Sequence, residues 1–241
     1  MCFGNPPCIQ LRLAAILWLG LMVIPVPAAA DEPVSIVVSQ TWDFGYLPQK
    51  CEVSHCFWLY NDGEEPLTVT KIKSGCSCTT VSEVDRPIPP GDSAAITVTF
   101  KSGRYLRNIK KTTTVFTDNP DKPEHHLHLT ANVIKRDEMA GEFKLQPRKL
   151  IVSPTEKPER IDTVLVTNIG SDTVATHVLH CPKCIAGIDG VAQELIPGQS
   201  SSWAIHLVNE SLETGPTGLS VTFAFAGADE TRVTLPIEVR D

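Results

Sequence analysis

Two close pairs of cysteines are the side chains in this sequence that are best placed to do chemistry. Cys76 and Cys78 have one residue between them, and Cys181 and Cys184 have two. The second spacing is typical of redox-active dithiols, in which one thiol attacks and the other resolves the mixed disulfide. Each pair also offers two soft sulfur ligands to a copper or zinc ion.

A structural disulfide is the favoured interpretation of Cys181 and Cys184. A thioredoxin-like active site needs a βαβ context, which the surrounding sequence lacks. A closed zinc site needs four ligands, and even with His177 and His180 nearby these thiols are expected to be oxidised before they bind metal. Covalent haem attachment is disfavoured because His180 precedes the cysteines instead of following them. We therefore predict no metal site and no cofactor.

Three histidines near the middle of the chain are a weaker candidate for a metal site. In a strand, His126 and His128 lie on one face and His125 lies on the other, so the three do not converge on one ion. A solvated histidine face is favoured over metal ligation.

Alternating aromatic residues raise the question of a binding surface. Trp42, Phe44 and Tyr46 alternate along one segment, and Trp58 and Tyr60 along another. Exposed aromatic rows stack on sugars or peptides, but packing in a core explains the same pattern, so both interpretations stay open.

The sequence carries none of the short motifs that mark common catalytic sites. It contains no Gly-x-Ser-x-Gly, no His-Glu-x-x-His, no phosphate-binding glycine loop and no dinucleotide fingerprint. We therefore predict that the protein is not an enzyme. Its 28 acidic residues outnumber 21 Lys and Arg, and the net charge of −7 repels a phosphate backbone, so no nucleic acid is expected as a partner.

The first thirty residues have the pattern of an export signal. Residues 13–26 form an apolar run that follows a basic residue and precedes three alanines at 28–30. The run is shorter than the ~20 apolar residues of a spanning helix, and the small residues favour cleavage before Asp31 over an uncleaved anchor. We predict an extracytoplasmic protein, periplasmic or secreted, with no stable membrane span after cleavage. Cys2 and Cys8 leave with the signal, and the six remaining cysteines suggest disulfides.

Beyond the signal, short strands alternate with turns. Residues 51–60 alternate so that Val53, Phe57 and Leu59 share one face, which is typical of a half-buried strand. Turn residues follow at 61–63, and the 15 Gly and 19 Pro are spread along the chain rather than clustered. We predict an all-β fold.

The same order of strands and turns returns 107 residues later in the chain. Asn168 matches Asn61, and Gly198 matches Gly91. A repeat of about 100 residues is the usual size of an immunoglobulin-like β-sandwich. We predict two tandem sandwiches, the second a divergent copy of the first. The predicted segments are the signal peptide at 1–30, the first immunoglobulin-like domain at 31–137 and the second at 138–241.

A series of residues in the first repeat follows the order found in a known family. These residues are Asp43-Phe44-Gly45, Phe57, Asn61 with Gly63, Pro66-Leu67, Gly75-Cys76-Ser77-Cys78-Thr79, Pro90-Gly91, Gly103 and Asn119. With them, residues 34–134 resemble the bacterial exported proteins grouped as domain of unknown function 1573, which are related to Hydin-type immunoglobulin-like domains. Ser77 stands where the family usually has Gly, and Gln49 or Lys50 where another Gly is usual. The resemblance implies a fold and a compartment, without a reaction.

Strand pairing predicts which cysteines are joined. If residues 62–65 are the loop of a hairpin, Cys51 faces Cys76, and a shift of one or two residues brings Cys78 opposite instead. Cys51 and Cys56 lie on one strand at ~3.3 Å per residue, too far apart for a bridge. The predicted bridges are Cys51 with Cys76 or, next best, Cys78, and Cys181 with Cys184. Cys56 and the remaining cysteine of the 76/78 pair are expected to form a third bridge or to stay thiols.

These observations predict an exported, non-enzymatic interaction or structural module of the cell envelope. Its partner is expected to be a protein or another envelope component, recognised by loop contact or by addition of a strand to an exposed sheet edge. The alternative is an envelope protein that handles thiols and disulfides, or a soft metal such as copper or zinc, through its cysteine pairs.

Overall fold

β-Strands account for the regular secondary structure of the described residues, in which there is no helix, so the predicted all-β fold is confirmed. The signal peptide predicted at 1–30 lies outside the described residues. The computed structural model describes residues 35–37, 39–84, 86–135, 137–153, 159–182, 184–208 and 218–240.

The strands fall into two successive groups, one for each repeat. The first group is β1 (Ser35–Val37), β2 (Thr41–Pro48), β3 (Glu52–Asn61), β4 (Val69–Ser74), β5 (Thr79–Val81), β6 (Ser93–Lys101), β7 (Arg107–Thr117) and β8 (Glu124–Ile134). The second group is β9 (Phe143–Gln146), β10 (Leu150–Val152), β11 (Glu159–Asn168), β12 (Val174–His180), β13 (Ile185–Asp189), β14 (Glu194–Leu195), β15 (Ser200–Val208), β16 (Ser220–Ala226) and β17 (Glu230–Val239).

Alternation of apolar and polar residues explains why these segments form half-buried strands. In β3 the side chains of Val53, Phe57 and Leu59 are buried, as predicted, because they face the opposite sheet. Trp58 and Tyr60 point the other way and are 47% and 38% exposed. These two aromatic residues therefore lie on the surface and do not fill a core.

Each repeat is a sandwich of two sheets with the same strand order. In the first repeat, the sheet β1-β3-β6-β5 packs on β4-β7-β8-β2. In the second, β9-β11-β15-β13 packs on β14-β12-β16-β17, and β10 adds to β17 in parallel as β2 adds to β8. Strands β3 and β11 have equal lengths and lie 107 residues apart, which confirms the repeat offset. Each sandwich has its own buried hydrophobic cluster.

Strand β2 joins the two repeats into one long sheet. It pairs in parallel with β8 of its own repeat and, through Tyr46 opposite Val233, with β17 of the second repeat. The hydroxyl of Thr234 also donates a hydrogen bond to the carbonyl oxygen of Phe44, at 2.6 Å. The described residues of the two repeats accordingly form one compact unit.

Close contact between these two backbones requires glycine at position 45. Gly45 has a φ of +63°, and a Cβ there would lie 2.0 Å from the carbonyl oxygen of Arg232. The carboxylate of Asp43 holds this turn by accepting hydrogen bonds from the amide of Gly45 at 3.1 Å and from the hydroxyl of Thr130 at 2.8 Å. The Asp43-Phe44-Gly45 motif thus builds the junction between the repeats.

Candidate functional site

A disulfide joins Cys76 to Cys78 in the loop between β4 and β5. Their Cα atoms are 5.2 Å apart, and Ser77 alone lies between them in the chain. Both cysteines are half-buried, whereas Ser77 is exposed. Because the bridge closes a ring of three residues, it removes little chain entropy and stabilises the fold by roughly 1.5 kcal/mol.

Hydrogen bonds fix this loop independently of the disulfide. The hydroxyl of Ser74 donates to the carbonyl oxygens of Cys76 and Thr79 at 2.7 and 2.8 Å. The amide of Gly75 donates to the carbonyl oxygen of Thr112 on β7 at 3.0 Å. The loop is therefore held on both sides by protein groups other than the two sulfurs.

The hydroxyl of Thr79 lies beside both sulfurs. Its Oγ1 is 3.4 Å from the Sγ of Cys76 and 3.8 Å from the Sγ of Cys78, and the residue is only 5% exposed. Sequence reasoning gave Thr79 no role. Its place immediately after the cysteine signature was the one available signal, because a short loop brings an adjacent hydroxyl close to both sulfurs.

The predicted bridge from Cys51 to Cys76 is wrong, because β3 and β4 do not form a hairpin. Strand β3 pairs with β1 and β6, whereas β4 pairs with β7 in the opposite sheet. The turn after Asn61 therefore carries the chain from one sheet to the other. Cys78, the second-choice partner of Cys51, is bonded to Cys76 instead.

Cys51 is a half-buried thiol immediately before β3. Its Sγ donates to the carbonyl oxygen of Pro48 at 3.0 Å and lies 3.4 Å from the hydroxyl oxygen of Ser102. Burial raises the pKa of this thiol to about 12, although the Ser102 hydroxyl opposes the shift. Cys51 therefore carries almost no thiolate at neutral pH and is a poor nucleophile.

Cys181 and Cys184 are both thiols, so the predicted bridge between them is not formed in the structure. Cys181 is exposed beyond the end of β12, and Cys184 is buried against the second core. Burial raises the pKa of both thiols, and that of Cys181 reaches about 11 with a further contribution from Cys184. Neither has the lowered pKa of an attacking thiol in a redox dithiol. Cys56 lies on β3, with its Sγ 3.9 Å from the carbonyl oxygen of Phe57.

Aromatic and histidine rings from both repeats meet at the junction. Trp42 of β2 stacks on His55 of β3 with ring centroids 4.0 Å apart, and the ring of His180 of β12 lies 5.5 Å from that of His55. Burial, and secondarily His180, lower the pKa of His55 to about 3, so this imidazole is neutral at neutral pH. The indole Nε1 of Trp42 and the Nδ1 of His55 are buried without a hydrogen-bond partner among the described residues.

The remaining aromatic residues of β2 pack in cores. Phe44 is fully buried in the first core, and Tyr46 packs against the second core. Packing, and not a binding surface, therefore explains the alternation of Trp42, Phe44 and Tyr46. The stacked group of Trp42, His55 and His180 was not foreseen, because its members come from three strands in two repeats.

The three central histidines diverge, as predicted. His125 is fully buried, and burial lowers its pKa, with Lys122 and His126 adding to the shift. His126 and His128 lie on the outer face of β8, where their Nδ1 atoms are 3.2 and 3.0 Å from threonine hydroxyl oxygens of β7. In the parts of the chain that the structure describes, no group of three His, Cys, Asp or Glu side chains is arranged to hold a metal ion.

A cleft opens on the side of the first sandwich, between β4 and β5. In the described part of the chain these strands are the edges of their two sheets, and the cleft between them has a volume of about 430 Å³. Val69, Ile72, Val81 and Val84 line it and are partly buried against the first core. The hydrogen bond from Ser74 to the carbonyl oxygen of Thr79 ties the two strands together at one end. We refer to this feature as the lateral cleft.

The second repeat covers the equivalent position with its own chain. Thr176, which corresponds to Val69, donates its amide to the carbonyl oxygen of Gln193 at 3.0 Å and its hydroxyl to the carbonyl oxygen of Ala192. Val191 and Ala192 pack against the second core. In the first repeat, the corresponding strand contact within the described residues is the single bridge between Leu67 and Ile88.

Within the part of the chain that is described, no helical segment has the length and apolar character needed to cross a membrane. A search of curated proteins finds no match to this chain.

Residues 36–133 match the family described as "Protein of unknown function (DUF1573)". The match confirms the resemblance inferred from the residues of the first repeat. It spans β2 to β8 almost completely, together with the Asp43-Phe44-Gly45 motif and the Cys76–Cys78 disulfide.

Comparison with solved structures finds distant similarities. A protein of unknown function from Porphyromonas gingivalis W83 has 10% identity and a TM-score of 0.36, covering 85% of this chain and 99% of that one. The tandem Ig repeats of Dlar have 12% identity and a TM-score of 0.34, covering 87% and 100%. The ASH/PapD-like domain of human CEP192 has 11% identity and a TM-score of 0.34, covering 50% and 99%. These likenesses are too distant to bear on function.

Proposed function

We propose that this chain, whose residues 36–133 match the DUF1573 family, is an exported, non-enzymatic interaction module that binds an extended segment of a protein partner in its lateral cleft. The observation that carries this proposal is the pair of edge strands β4 and β5, which have an apolar cleft between them and no strand on their outer sides among the described residues. An exposed edge recognises an extended peptide through main-chain hydrogen bonds, and pockets beside it select the side chains.

The backbone of β4 is oriented to receive such a segment. The amide of Gly75 bonds to Thr112 of β7, and alternate residues of an antiparallel strand bond to the same neighbour. The amide and carbonyl groups of Lys73 therefore point to β7, whereas those of Ile72 and Ser74 point into the lateral cleft. These groups can form new hydrogen bonds without breaking the existing ladder.

The second repeat supplies a guide to what fits. There residues 191–193 lie against the edge of β12, where they accept hydrogen bonds from Thr176, and two of them, Val191 and Ala192, have small apolar side chains. The repeats share strand order and offset, and Val84, the counterpart of Val191, lines the lateral cleft. We infer that a partner segment of the same kind completes the cover of β4 in the first repeat. We propose that one small apolar side chain of the partner enters between Ile72 and Val81. Lys71 and Lys73, exposed on β4, favour acidic residues beside it.

Binding can be tested with a peptide taken from this chain. The probe is a fluorescein-labelled synthetic peptide of residues 188–196, and its anisotropy is titrated with the full chain. We expect saturable binding that Ile72→Asp weakens at least tenfold, since a charge in the apolar cleft is costly. Ile161→Asp is the matched control, because Ile161 is 59% exposed on β11, away from the cleft.

A second variant separates loss of the site from loss of folding. Thr70 lies where the register of β4 and β7 shifts, a position that tolerates proline. Thr70→Pro should block strand addition while the chain stays folded, and Thr70→Ala should bind as the unaltered chain does. Absence of saturable binding, or equal affinities for Ile72→Asp, Thr70→Pro and the unaltered chain, would contradict the proposal.

The proposal that the role is non-enzymatic and extracytoplasmic rests on other observations. The apolar run at 13–26 and the alanines at 28–30 support export to the periplasm or the exterior. The raised thiol pKa values of Cys51 and Cys181 and the neutral His55 support a role without an activated nucleophile. The excess of acidic residues supports a partner that is a protein or another envelope component, and not nucleic acid.

A further inference from the structure

We propose that the Cys76–Cys78 disulfide is a redox-active group that oxidises dithiols stoichiometrically, one for each chain, a property beyond the binding role and independent of it. Three features of the loop between β4 and β5 support this activity. They are the size of the ring, the exposure of the loop and the position of the Thr79 hydroxyl.

Because the ring is small, the disulfide contributes little to the stability of the fold. The two cysteines are separated by one residue, so the bond restricts very little of the unfolded chain. The hydrogen bonds of Ser74 and Gly75 already hold the loop against β5 and β7. A disulfide that contributes little to folding can be opened and closed without unfolding the sandwich.

The loop is also accessible to a thiol. Gly75 and Ser77 are exposed and Cys76 is half-buried, whereas Cys78 packs against the first core, so the Cys76 side of the bond is the more open to a nucleophile. By contrast, the Cys51 thiol is enclosed by Pro48 and Ser102. Exposed disulfides are the ones that commonly exchange, whereas structural bridges resist reduction.

The Thr79 hydroxyl is placed to stabilise the leaving group. It lies 3.4 Å from one sulfur and 3.8 Å from the other, and donation of its proton stabilises a thiolate released at either position. Since the hydroxyl already lies beside both sulfurs before the bond breaks, its contribution needs no rearrangement. Thr79 is the residue whose substitution should change the rate without removing the disulfide.

The reaction is a two-step thiol–disulfide exchange. A thiolate of an external dithiol attacks one sulfur, the Cys76–Cys78 bond breaks, and a mixed disulfide and one cysteine thiolate form. The second thiol of the dithiol loses its proton and attacks the mixed disulfide, which releases the other cysteine. The external dithiol loses two electrons and two protons to become a disulfide, and Cys76 and Cys78 gain both as thiols.

The test uses the full chain and a reduced synthetic peptide with two cysteines separated by two residues. The oxidised chain and the peptide are mixed at pH 7, quenched with N-ethylmaleimide and weighed by intact mass spectrometry. We expect one oxidised peptide for each chain that gains two alkylated cysteines, mapped to 76 and 78. Cys76→Ser/Cys78→Ser should abolish peptide oxidation, and Cys181→Ser/Cys184→Ser should leave it unchanged.

Substitution of Thr79 tests the proposed mechanism. Thr79→Val should slow the exchange about tenfold, since a hydrogen bond to a charged sulfur is lost. It should also move the pH midpoint of N-ethylmaleimide labelling of the reduced loop upward, a shift that a merely structural role would not cause. Thr79→Ser should restore both rate and midpoint. The proposal is overturned if the unaltered chain oxidises no more peptide than Cys76→Ser/Cys78→Ser does. It is also overturned if Thr79→Val leaves both the exchange rate and the labelling midpoint unchanged.

Discussion

Asn61 and Asn168, 107 residues apart, make the same hydrogen bonds in the two repeats. The amide nitrogen of Asn61 donates to the carbonyl oxygens of Glu65 and Ile88 at 2.7 and 2.8 Å. That of Asn168 donates to the carbonyl oxygens of the residues at 172 and 195, at 2.8 and 2.9 Å. Each side-chain oxygen accepts from the glycine amide two residues later. In each sandwich these hydrogen bonds hold the turn through which the chain passes from one sheet to the other.

Replacement of either asparagine should destabilise the protein by a similar amount. Both side chains are 1% exposed, so Asn61→Ala or Asn168→Ala leaves two carbonyl oxygens without these donors. We expect a loss of about 2 to 3 kcal/mol in the free energy of unfolding for each variant, measured by urea denaturation. Asp62→Ala is the control, because Asp62 is exposed on the turn that follows Asn61, and its change should stay under about 0.5 kcal/mol. Asparagine variants as stable as this control would contradict the role of the shared hydrogen bonds.

The contact between Gly45 and the second repeat should make that glycine irreplaceable. Gly45→Ala places a methyl group against the carbonyl of Arg232 and also strains a positive φ. We expect a loss of more than about 3 kcal/mol. Gly91→Ala is the matched control, since Gly91 also has a positive φ, +73°, but has open space around its Cβ position. Gly91→Ala should lower the free energy of unfolding by about 1 kcal/mol. Equal losses for the two variants in urea denaturation would contradict the importance of the contact between Gly45 and Arg232.

The buried His55 should make stability fall as the solution is acidified. Its pKa is about 3 in the folded protein and near 6.5 in the unfolded chain, so the unfolded chain binds the proton more readily. The contribution of His55 to the free energy of unfolding is therefore fully present above pH 6.5. It is lost progressively as the pH falls toward 3, by up to about 1.4 kcal/mol per pH unit. Urea denaturation from pH 7 to pH 4 should show a shallower loss for His55→Phe. Parallel slopes would contradict the burial of a neutral imidazole at the junction.

Export should remove the first thirty residues. Intact-mass measurement of the protein from an extracytoplasmic fraction should give a chain that begins at Asp31, because residues 28–30 are small and follow the apolar run. Substitution of Ala28 and Ala30 by Arg should prevent this cleavage, whereas Gln40→Arg beyond the site should not. Recovery of a chain that retains Met1 in the membrane fraction would replace the cleaved signal with an anchor.

The repeat and the sandwich were predictable because they depend on local patterns. Alternation in β3 determines which of its side chains are buried, and turn residues such as Asn61 recur at a constant offset. The partner strand of β3 was not predictable from the same pattern. A short turn after Asn61 is compatible with a hairpin and also with a crossing between sheets. The predicted bridge from Cys51 to Cys76 depends on a hairpin at this turn.

The candidate site was only partly visible in the sequence. The signature at Cys76 and Cys78 marked the right loop, and the spacing alone could not show that the two cysteines bond to each other. The lateral cleft depends on which strands are sheet edges, and the stack of His55 on Trp42 depends on how the repeats meet. Both are tertiary properties that residue patterns do not encode locally.

Amide hydrogen exchange on β4 tests the central claim most directly. The backbone amides of Ile72 and Ser74 point into the lateral cleft, whereas that of Lys73 is bonded to β7, so exchange is measured with and without the peptide of residues 188–196. The account predicts that the peptide slows exchange at Ile72 and Ser74 at least tenfold, with little change at Lys73. Unchanged exchange at Ile72 and Ser74 under saturating peptide would contradict recognition by strand addition.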